Sequence, residues 1–478
     1  MLEELEISEV LFSDVLVDNP NFRVDAEFYK KFFLEFFRKV SNAEPLGTFV
    51  QNGYRVVYEN TEIVDKKEAE EKNYPIFIQA TDLKTPFIDQ ENLFYVHQKE
   101  WDRYPKGRIE KGELLIEVKG KVEKVSIVPE NFPEKALVTG SVYKMTMTEE
   151  MDKHTVLAYL ISKYGKAFKD RFKTNLLISF LSKDDLYRIP IPKFSKDFQK
   201  HVKKLFAHIF ILNTQSKEAY AEAEAVLLDE LGLANFTPST EAVSIKGFAE
   251  SFGFTGRLDA EYYQPKYDDY LKLIKQYQGG FKPLSEACNL KDQGYNPLEK
   301  EYYRYIELSD IGNVGEVKGC TESRGEDLPS RARRKVETGD VLVSSIEGSL
   351  GSCALVPSLF NNALCSTGFY VVASNEINPE TLLVLFKSEP MQSILKQNCS
   401  GTILTAINKQ EFLGILVPII DIKPQKRIAD LVKRSFALKA QSETLLAIAK
   451  RGVELAIESD EASAQAWMLE QSGSLVDV

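Results

Sequence analysis

The heptapeptide Arg23-Val24-Asp25-Ala26-Glu27-Phe28-Tyr29 returns 234 residues later as Arg257-Leu258-Asp259-Ala260-Glu261-Tyr262-Tyr263. A chain that repeats itself this way is built as two related copies, and other matches keep the same order. Gly53-Tyr54 aligns with Gly294-Tyr295, Gln79 to Leu83 with Glu307 to Ile311, and Lys111 to Leu115 with Thr338 to Leu342. Val128-Pro129 aligns with Val356-Pro357, Pro192 with Pro418 and Gln199 with Gln425. A period of this size is far longer than the roughly 20–50 residues of a solenoid unit, so each copy is a domain with its own connector.

The 478 residues leave room for such a pair, and a 44% hydrophobic content is enough for real cores. A net charge of −11 argues against a general polyanion binder but leaves room for a local basic face. The five cysteines all lie in the second half, in no CxxC pair, which points to a reducing cytoplasm rather than a disulfide framework. The four histidines form no metal-ligand spacing with them, so no metal site is expected. The acidic start, Met1 to Glu6, lacks the cationic character of a signal peptide. No apolar run approaches the roughly 20 residues of a membrane span.

Each copy reads as an α+β globule. Asp25 and Asp259 are placed to cap the amphipathic helices that follow them. Strand-like runs cover 74–78, 113–118, 124–128 and 142–147 in the first copy, and 303–308, 340–346, 352–356 and 369–373 in the second. Helical stretches follow at 155–171 and 379–396, then runs ending at Pro192 and Pro418. Each globule continues into a helix with heptad spacing, which marks a coiled-coil seam. Val202, Leu205, Ile209 and Leu212 are expected to face Leu431, Leu438 and Leu445 in an antiparallel pair of rods, each roughly 55–60 Å long. The expected layout is a lead-in (1–40), a first globule (41–194), a central long helix (195–235), a linker with the second lead-in (236–281), a second globule (282–421), a C-terminal long helix (422–463) and a flexible acidic tail (464–478).

No phosphate-binding glycine loop, HExxH or GxSxG string occurs. The string Glu113 to Lys119 has the Glu-x-Lys pattern of metal-dependent nucleases, with Asp102 as an upstream ligand. With Gly120 matched to Gly348, the second copy carries Ser345 and Glu347 in place of Glu117 and Lys119, so that reading is not favoured. Basic and base-reading side chains cluster instead. In the first copy they are Tyr54, Arg55, Gln79, Arg103, Arg108, Lys119, Lys121 and Lys124; in the second, Tyr295, Asn296, Arg324, Arg331, Arg333, Arg334 and Ser349. Arginine reads guanine, asparagine and glutamine read adenine, and lysine neutralises phosphate. Arg331, Arg333 and Arg334 have no basic counterpart at matching spacing in the first copy.

The duplicated lead-in motif, the strand and loop Lys335 to Gly351, and Ser400 to Leu404 ahead of Ile415 to Pro418, with Gln425 opening the long helix, together resemble the specificity subunit of Type I restriction–modification systems. The resemblance covers residues 7–460. It departs in the first copy, where Lys119-Gly120-Lys121 and Lys173-Thr174-Asn175 replace the loop strings of the second. It implies two target-recognition globules related by a pseudo-twofold, each reading half of a split DNA site, with the helices setting the spacer. It further implies a non-catalytic, cytoplasmic chain without a cofactor of its own. Its partners would be two methyltransferase subunits using S-adenosylmethionine and two restriction subunits using ATP and Mg. Two alternatives stay open: a specificity subunit of a related system without the ATP-driven motor, and a two-domain scaffold that does not bind DNA.

Overall fold

The computed structural model describes residues 9–476 except 17, 18, 20, 21, 41, 42, 59, 60, 91, 92, 175, 176, 242 and 402–404. The expectations placed on Met1 to Glu6, Asn175 and Thr402 to Leu404 lie outside the described residues. The chain divides into two compact units, Met1–Ile211 with Gln441–Val478, and Leu212–Ala440.

In the first unit a lead-in helix, α1 (Lys31–Lys39), precedes β1 (Glu44–Pro45) and β2 (Val50–Tyr54). Then come β3 (Ile76–Ile78), β4 (Leu114–Glu117), β5 (Val125–Ile127), β6 (Ala136–Val138) and β7 (Val142–Met147). Leu114, Leu115 and Ile116 are all fully buried, which is why β4 reads as an unbroken apolar run rather than an alternating one. Helices α2 (Lys153–Ile161) and α3 (Lys163–Phe172) follow, then β8 (Pro190–Ile191) and the long α4 (Lys196–Glu230). The single helix expected over 155–171 is thus two helices. Ser162 breaks it by capping the second, its hydroxyl accepting the Gly165 N–H at 3.3 Å. Gly165 is needed there because a Cβ would run into the Tyr159 carbonyl.

The second unit repeats this order. Helix α5 (Pro265–Gln276) leads to β9 (Phe281–Pro283), β10 (Asn289–Leu290), β11 (Tyr302–Ile306), β12 (Thr321–Arg324) and β13 (Ala332–Lys335). Strands β14 (Val341–Ser344), β15 (Cys353–Leu355), β16 (Leu364–Ser366) and β17 (Phe369–Ala373) follow. Helices α6 (Pro379–Lys387) and α7 (Glu389–Gln397), again broken at a serine, precede β18 (Leu416–Pro418) and the long α8 (Ile422–Glu458). Strand registers match: Phe77 lies opposite Leu137 in a parallel pair, as Tyr305 lies opposite Leu364, and Glu117 opposite Val142, as Ser344 lies opposite Phe369.

The repeated residues hold the two scaffolds in the same way. Asp25 grips Arg23 at 2.8 and 2.9 Å, and the Arg23 guanidinium donates to the carbonyls of Arg171 and Lys173 at the end of α3. Arg257 is gripped by Asp259 and donates to the Cys399 carbonyl, just past α7. A cation at a helix C-terminus meets unpaired carbonyls and the negative end of the helix dipole. Asp25 does act as a cap, accepting the Phe28 N–H at 3.1 Å, but of a 3-10 turn (Ala26–Tyr29) ahead of α1. Asp259 makes no side-chain cap; its carboxylate is committed to Arg257.

Gln199 and Gln425, opening the long helices, are buried and repeat each other bond for bond. Each accepts a backbone N–H (Asp152, Asn378) at 2.7–2.8 Å. Each also donates to two carbonyls, Phe194 and Glu150 in one unit, Ile420 and Glu376 in the other. Reciprocal caps join Gln79 to Asp82 and Glu307 to Asp310, and burial raises both aspartates above the usual carboxylate range.

Strand register corrects two sequence alignments. Lys119 bridges Phe180 as Ile346 bridges Ala406, and the Gly120 and Glu347 amides donate to Ser179 and Thr405. Gly120 therefore matches Glu347, not Gly348, and Glu117 and Lys119 are replaced by Ser344 and Ile346. Tyr295 packs on Tyr305 and Leu364, as Tyr58 packs on Phe77 and Leu137. Its structural counterpart is Tyr58 and not Tyr54.

Helices α4 and α8 each contribute a segment to both units. Val202, Leu205, Ile209 and Leu445 are fully buried as expected of a seam. Leu212, Leu431 and Leu438 are only half-buried, and Val432 takes the buried place beside Leu431. Within the second unit the two helices run antiparallel, tied by Asn213 to Lys439, Ser216 to Ser435 and Glu222 to Arg427. The segment expected as a flexible tail is helical. In α9 (Glu461–Val476) Ala464, Met468 and Ser472 are buried at helical spacing, an apolar and small-residue stripe that the acidic composition concealed.

Candidate nucleic-acid interface

In the first unit the loop after β6 gathers residues from distant parts of the chain. Thr139 donates its N–H to the Ile78 carbonyl, the Gly140 carbonyl accepts from Arg55 at 3.3 Å, and the Ser141 carbonyl accepts the Val118 N–H. Arg55 lies over the Phe180 ring at 4.7 Å, and Phe180 bridges Lys119. The Lys106 ammonium stands 5.7 Å from the Tyr54 ring centroid, and Tyr54 is itself 38% exposed. Tyr54, Arg55, Lys106 and Lys119 thus form one rim, with exposed Lys121 two residues beyond. Exposed Arg103 lies over Tyr104 nearby in sequence.

Three other expected residues are engaged by the fold. Arg108 donates to the Trp101 carbonyl at 2.9 and 3.2 Å and stacks on its ring at 4.4 Å. Lys124 donates to the Ala80 carbonyl at 3.1 Å. The Gln79 side-chain oxygen accepts the Asp82 N–H in its reciprocal cap.

In the second unit Arg333 donates to the Asn296 side chain at 3.0 Å and to the Ser330 carbonyl at 2.9 Å, while its own carbonyl accepts the Tyr295 N–H. Lys335 stands over Tyr295 at 5.6 Å. The Tyr295 hydroxyl bonds the Tyr303 phenol at 3.1 Å and pushes its pKa up to about 12. A bulge between Ala332 and Arg334 turns neighbouring arginines apart. Arg333 faces Asn296, whereas Arg334 lies over Tyr370 at 5.3 Å with one guanidinium nitrogen buried. Arg331 is exposed.

Arg324 is not brought to this group. It sits on β12 beside Tyr302, at the opposite edge of the β12-β11-β16-β13 sheet, about 14 Å away at the usual strand spacing. The Ser349 hydroxyl is held by Ser344 and by the Ile346 carbonyl. One expectation is overturned. Arg108 pairs with Leu137 as Lys335 pairs with Leu364, which sets Lys106 at the position of Arg333. Arg333 therefore has a basic counterpart. Phe180, the platform under Arg55, was missed from sequence because it lies 125 residues from Arg55 in an unremarkable context.

The nuclease-like string is structural. Glu113 accepts from Lys144 at 2.8 Å in a buried ion pair and from the Glu110 N–H, and Glu117 accepts the N–H groups of Glu123 and Lys124. Asp102 accepts from Gln98 on a short exposed helix. Among the described residues no group of three or more metal-ligating side chains converges, and no helix is long and apolar enough to cross a membrane. The exposed cations with adjacent aromatics can contact phosphates and base edges; the engaged ones hold loops in place.

No protein-family profile matches the chain. Over 133 residues it is 28% identical to the Type I restriction enzyme HindI specificity subunit of Haemophilus influenzae, a match covering 27% of this chain and 28% of that protein. The chain thus spans less than a third of that relative's length in the match. Among solved structures, the Type I restriction–modification S subunit of M. genitalium aligns over 89% of this chain and 95% of its own, with 13% identity and a TM-score of 0.36. The HsdS subunit of Thermoanaerobacter tengcongensis aligns over 89% and 95%, with 14% identity and a TM-score of 0.27. A structure described for complex assembly and conformational transition of the type I R-M system aligns over 89% and 96%, with 13% identity and a TM-score of 0.26. The chain is similar to specificity subunits of Type I restriction–modification systems.

Proposed function

We propose that this chain is the non-catalytic sequence-reading subunit of a Type I restriction–modification complex. The observation that carries the reading is the contrast between scaffold and rim. The Arg–Asp clamps, buried glutamines and strand registers repeat from one unit to the other, while the rim side chains change: Tyr54, Arg55, Lys106 and Lys119 in one, Tyr295, Asn296, Arg331 and Arg333 in the other. Two copies of one scaffold with different rims suit two halves of an asymmetric DNA site. The recognition globules are residues 41–194 and 282–421. The long helices fix the spacing between half-sites and dock two methyltransferase subunits. S-adenosylmethionine belongs to those subunits, and ATP and Mg to two restriction subunits. In this reading Arg108, Lys124 and Gln79 shape the first rim without contacting DNA.

The test is co-purification with the products of neighbouring genes, a methyltransferase being expected among them, followed by binding to duplex DNA over a range of salt. A stable complex with sequence-dependent, salt-sensitive affinity is expected. A chain that neither assembles with a methyltransferase nor binds duplex DNA would overturn the reading.

A further inference from the structure

A cavity of about 510 Å³ in the first unit is walled by five lysines, Lys111, Lys153, Lys196, Lys200 and Lys203. That volume falls in the range of small-molecule sites, about 300–1,000 Å³. Two carboxylates share the lining. Asp152 accepts from the His154 N–H and meets its ring, with the Lys203 charge also acting on it, and Glu149 is exposed. Lys153 approaches Glu130 at 3.8 Å, and Lys196 donates to the Glu149 and Glu150 carbonyls. Lys111, Lys200 and Lys203 enter no ion pair among the described residues. Gly112, at φ +84°, leaves space for the Lys153 ammonium that a Cβ would displace.

The fold does not require these lysines. Structurally matched positions in the second unit are Thr338, Pro379, Ile422, Lys426 and Ala429. The same buried glutamine network stands there with one lysine in place of five. Nor does the cavity belong to the proposed DNA rim. Lys111 precedes β4 and Lys119 follows it, on the order of 25 Å apart along extended chain. Like charges gathered on one concave wall concentrate counter-charge.

We infer that this cavity binds a multiply charged phosphate chain, either inorganic polyphosphate or the polyphosphate of a nucleotide. The five ammonium groups supply the counter-charge. The site exists in the first unit only and does not depend on the DNA-reading proposal.

The experiment is calorimetric titration of the full chain with inorganic tripolyphosphate in about 0.15 M salt, where unspecific surface attraction is screened. One saturable site is expected. The Lys111→Thr/Lys203→Ala variant, built from residues the second unit uses, should weaken it about tenfold or more. In the unaltered protein, tripolyphosphate should protect Lys200 and Lys203 from acetylation, a readout that needs no variant. Parallel titrations with ATP and AMP identify the source: tighter binding of ATP than of tripolyphosphate marks a nucleotide, the reverse an inorganic chain. Absence of saturable binding, or equal binding by the variant, overturns the inference. Displacement of tripolyphosphate by a short duplex whose own affinity falls in the variant overturns it too, and makes the cavity part of a DNA surface.

Discussion

Ser216 and Ser435 exchange hydroxyl hydrogen bonds across the helix pair, each donating to the other's backbone carbonyl at 2.8 Å with their hydroxyl oxygens 3.1 Å apart. Both side chains are buried. Small polar residues at heptad positions let two helices approach closely, and the exchange is satisfied in only one register. Ser216→Leu should therefore overpack the seam and lower stability by about 1–3 kcal/mol. Ser216→Ala should cost much less. Denaturant midpoints of the two variants check this, and equal midpoints would remove the seam from the argument.

The Arg23 clamp holds the lead-in segment against the end of α3. Arg23→Lys keeps the charge but loses the two-pronged grip on Asp25 and the fork that reaches both carbonyls. A loss of about 1.5–3 kcal/mol is expected, with faster proteolysis ahead of α1. Arg257→Lys should do the same ahead of α5. Unchanged cleavage in both variants would show that the repeated motif is not a clamp.

Lys169 is buried, donates to the Glu123 carbonyl at 2.7 Å, and is lowered by that burial from the ordinary 10.5 to about 8. Between those values the unfolded chain holds a proton that the folded protein has released, so stability rises with pH across the window. Below pH 8 both states are charged and the penalty of burial is fully present. Lys169→Met removes the titration. The stability of the unaltered protein relative to the variant should climb from pH 8 to 10.5, by at most about 3 kcal/mol. A difference independent of pH would refute the assignment.

At the rim, Lys106→Ala and Arg333→Ala occupy matching positions in the two units. Each is expected to weaken binding by the assembled complex. If Arg333 reads a guanine, its loss costs about 1–3 kcal/mol and relaxes one position of one half-site; if it holds a phosphate, all sequences weaken equally and the salt dependence flattens. Arg334→Ala should act mainly on folding stability, because its guanidinium lies over Tyr370. A panel of single-base variants in both half-sites separates these outcomes. Binding indistinguishable from the unaltered complex in both rim variants would sink the assignment of this surface.

Much of the scaffold was legible because it depends on local pattern. The heptad spacing that includes Val202, Leu205 and Ile209 gave the long helix, and the repeated Arg-x-Asp gave the duplication. Side-chain commitments were not legible, because their partners come from elsewhere: Arg55 needs Phe180, Lys124 needs the Ala80 carbonyl, and Arg334 turns inward at a bulge. Local identity also misled. The dipeptides Gly53-Tyr54 and Gly294-Tyr295 look alike, yet strand pairing and packing match Tyr295 to Tyr58. In α8 the heptad phase drifts enough that Val432 replaces Leu431 as the buried residue.

The division of the chain into units has a consequence for its synthesis. The second unit is one uninterrupted stretch, Leu212–Ala440, and all of it has been synthesised before residue 441 is added. The first unit begins at the N-terminus yet needs Gln441–Val478, with Glu454 accepting the Lys163 N–H and Glu461 the Ser195 N–H. At about 5–20 residues per second, that wait lasts roughly 10–50 seconds. Val202, Leu205 and Ile209 have no α8 to pair with during that interval. The half of the protein that is translated first is therefore the half that is completed last, and a nascent chain stalled before α8 would hold an unfinished apolar seam in front of the cell's chaperones.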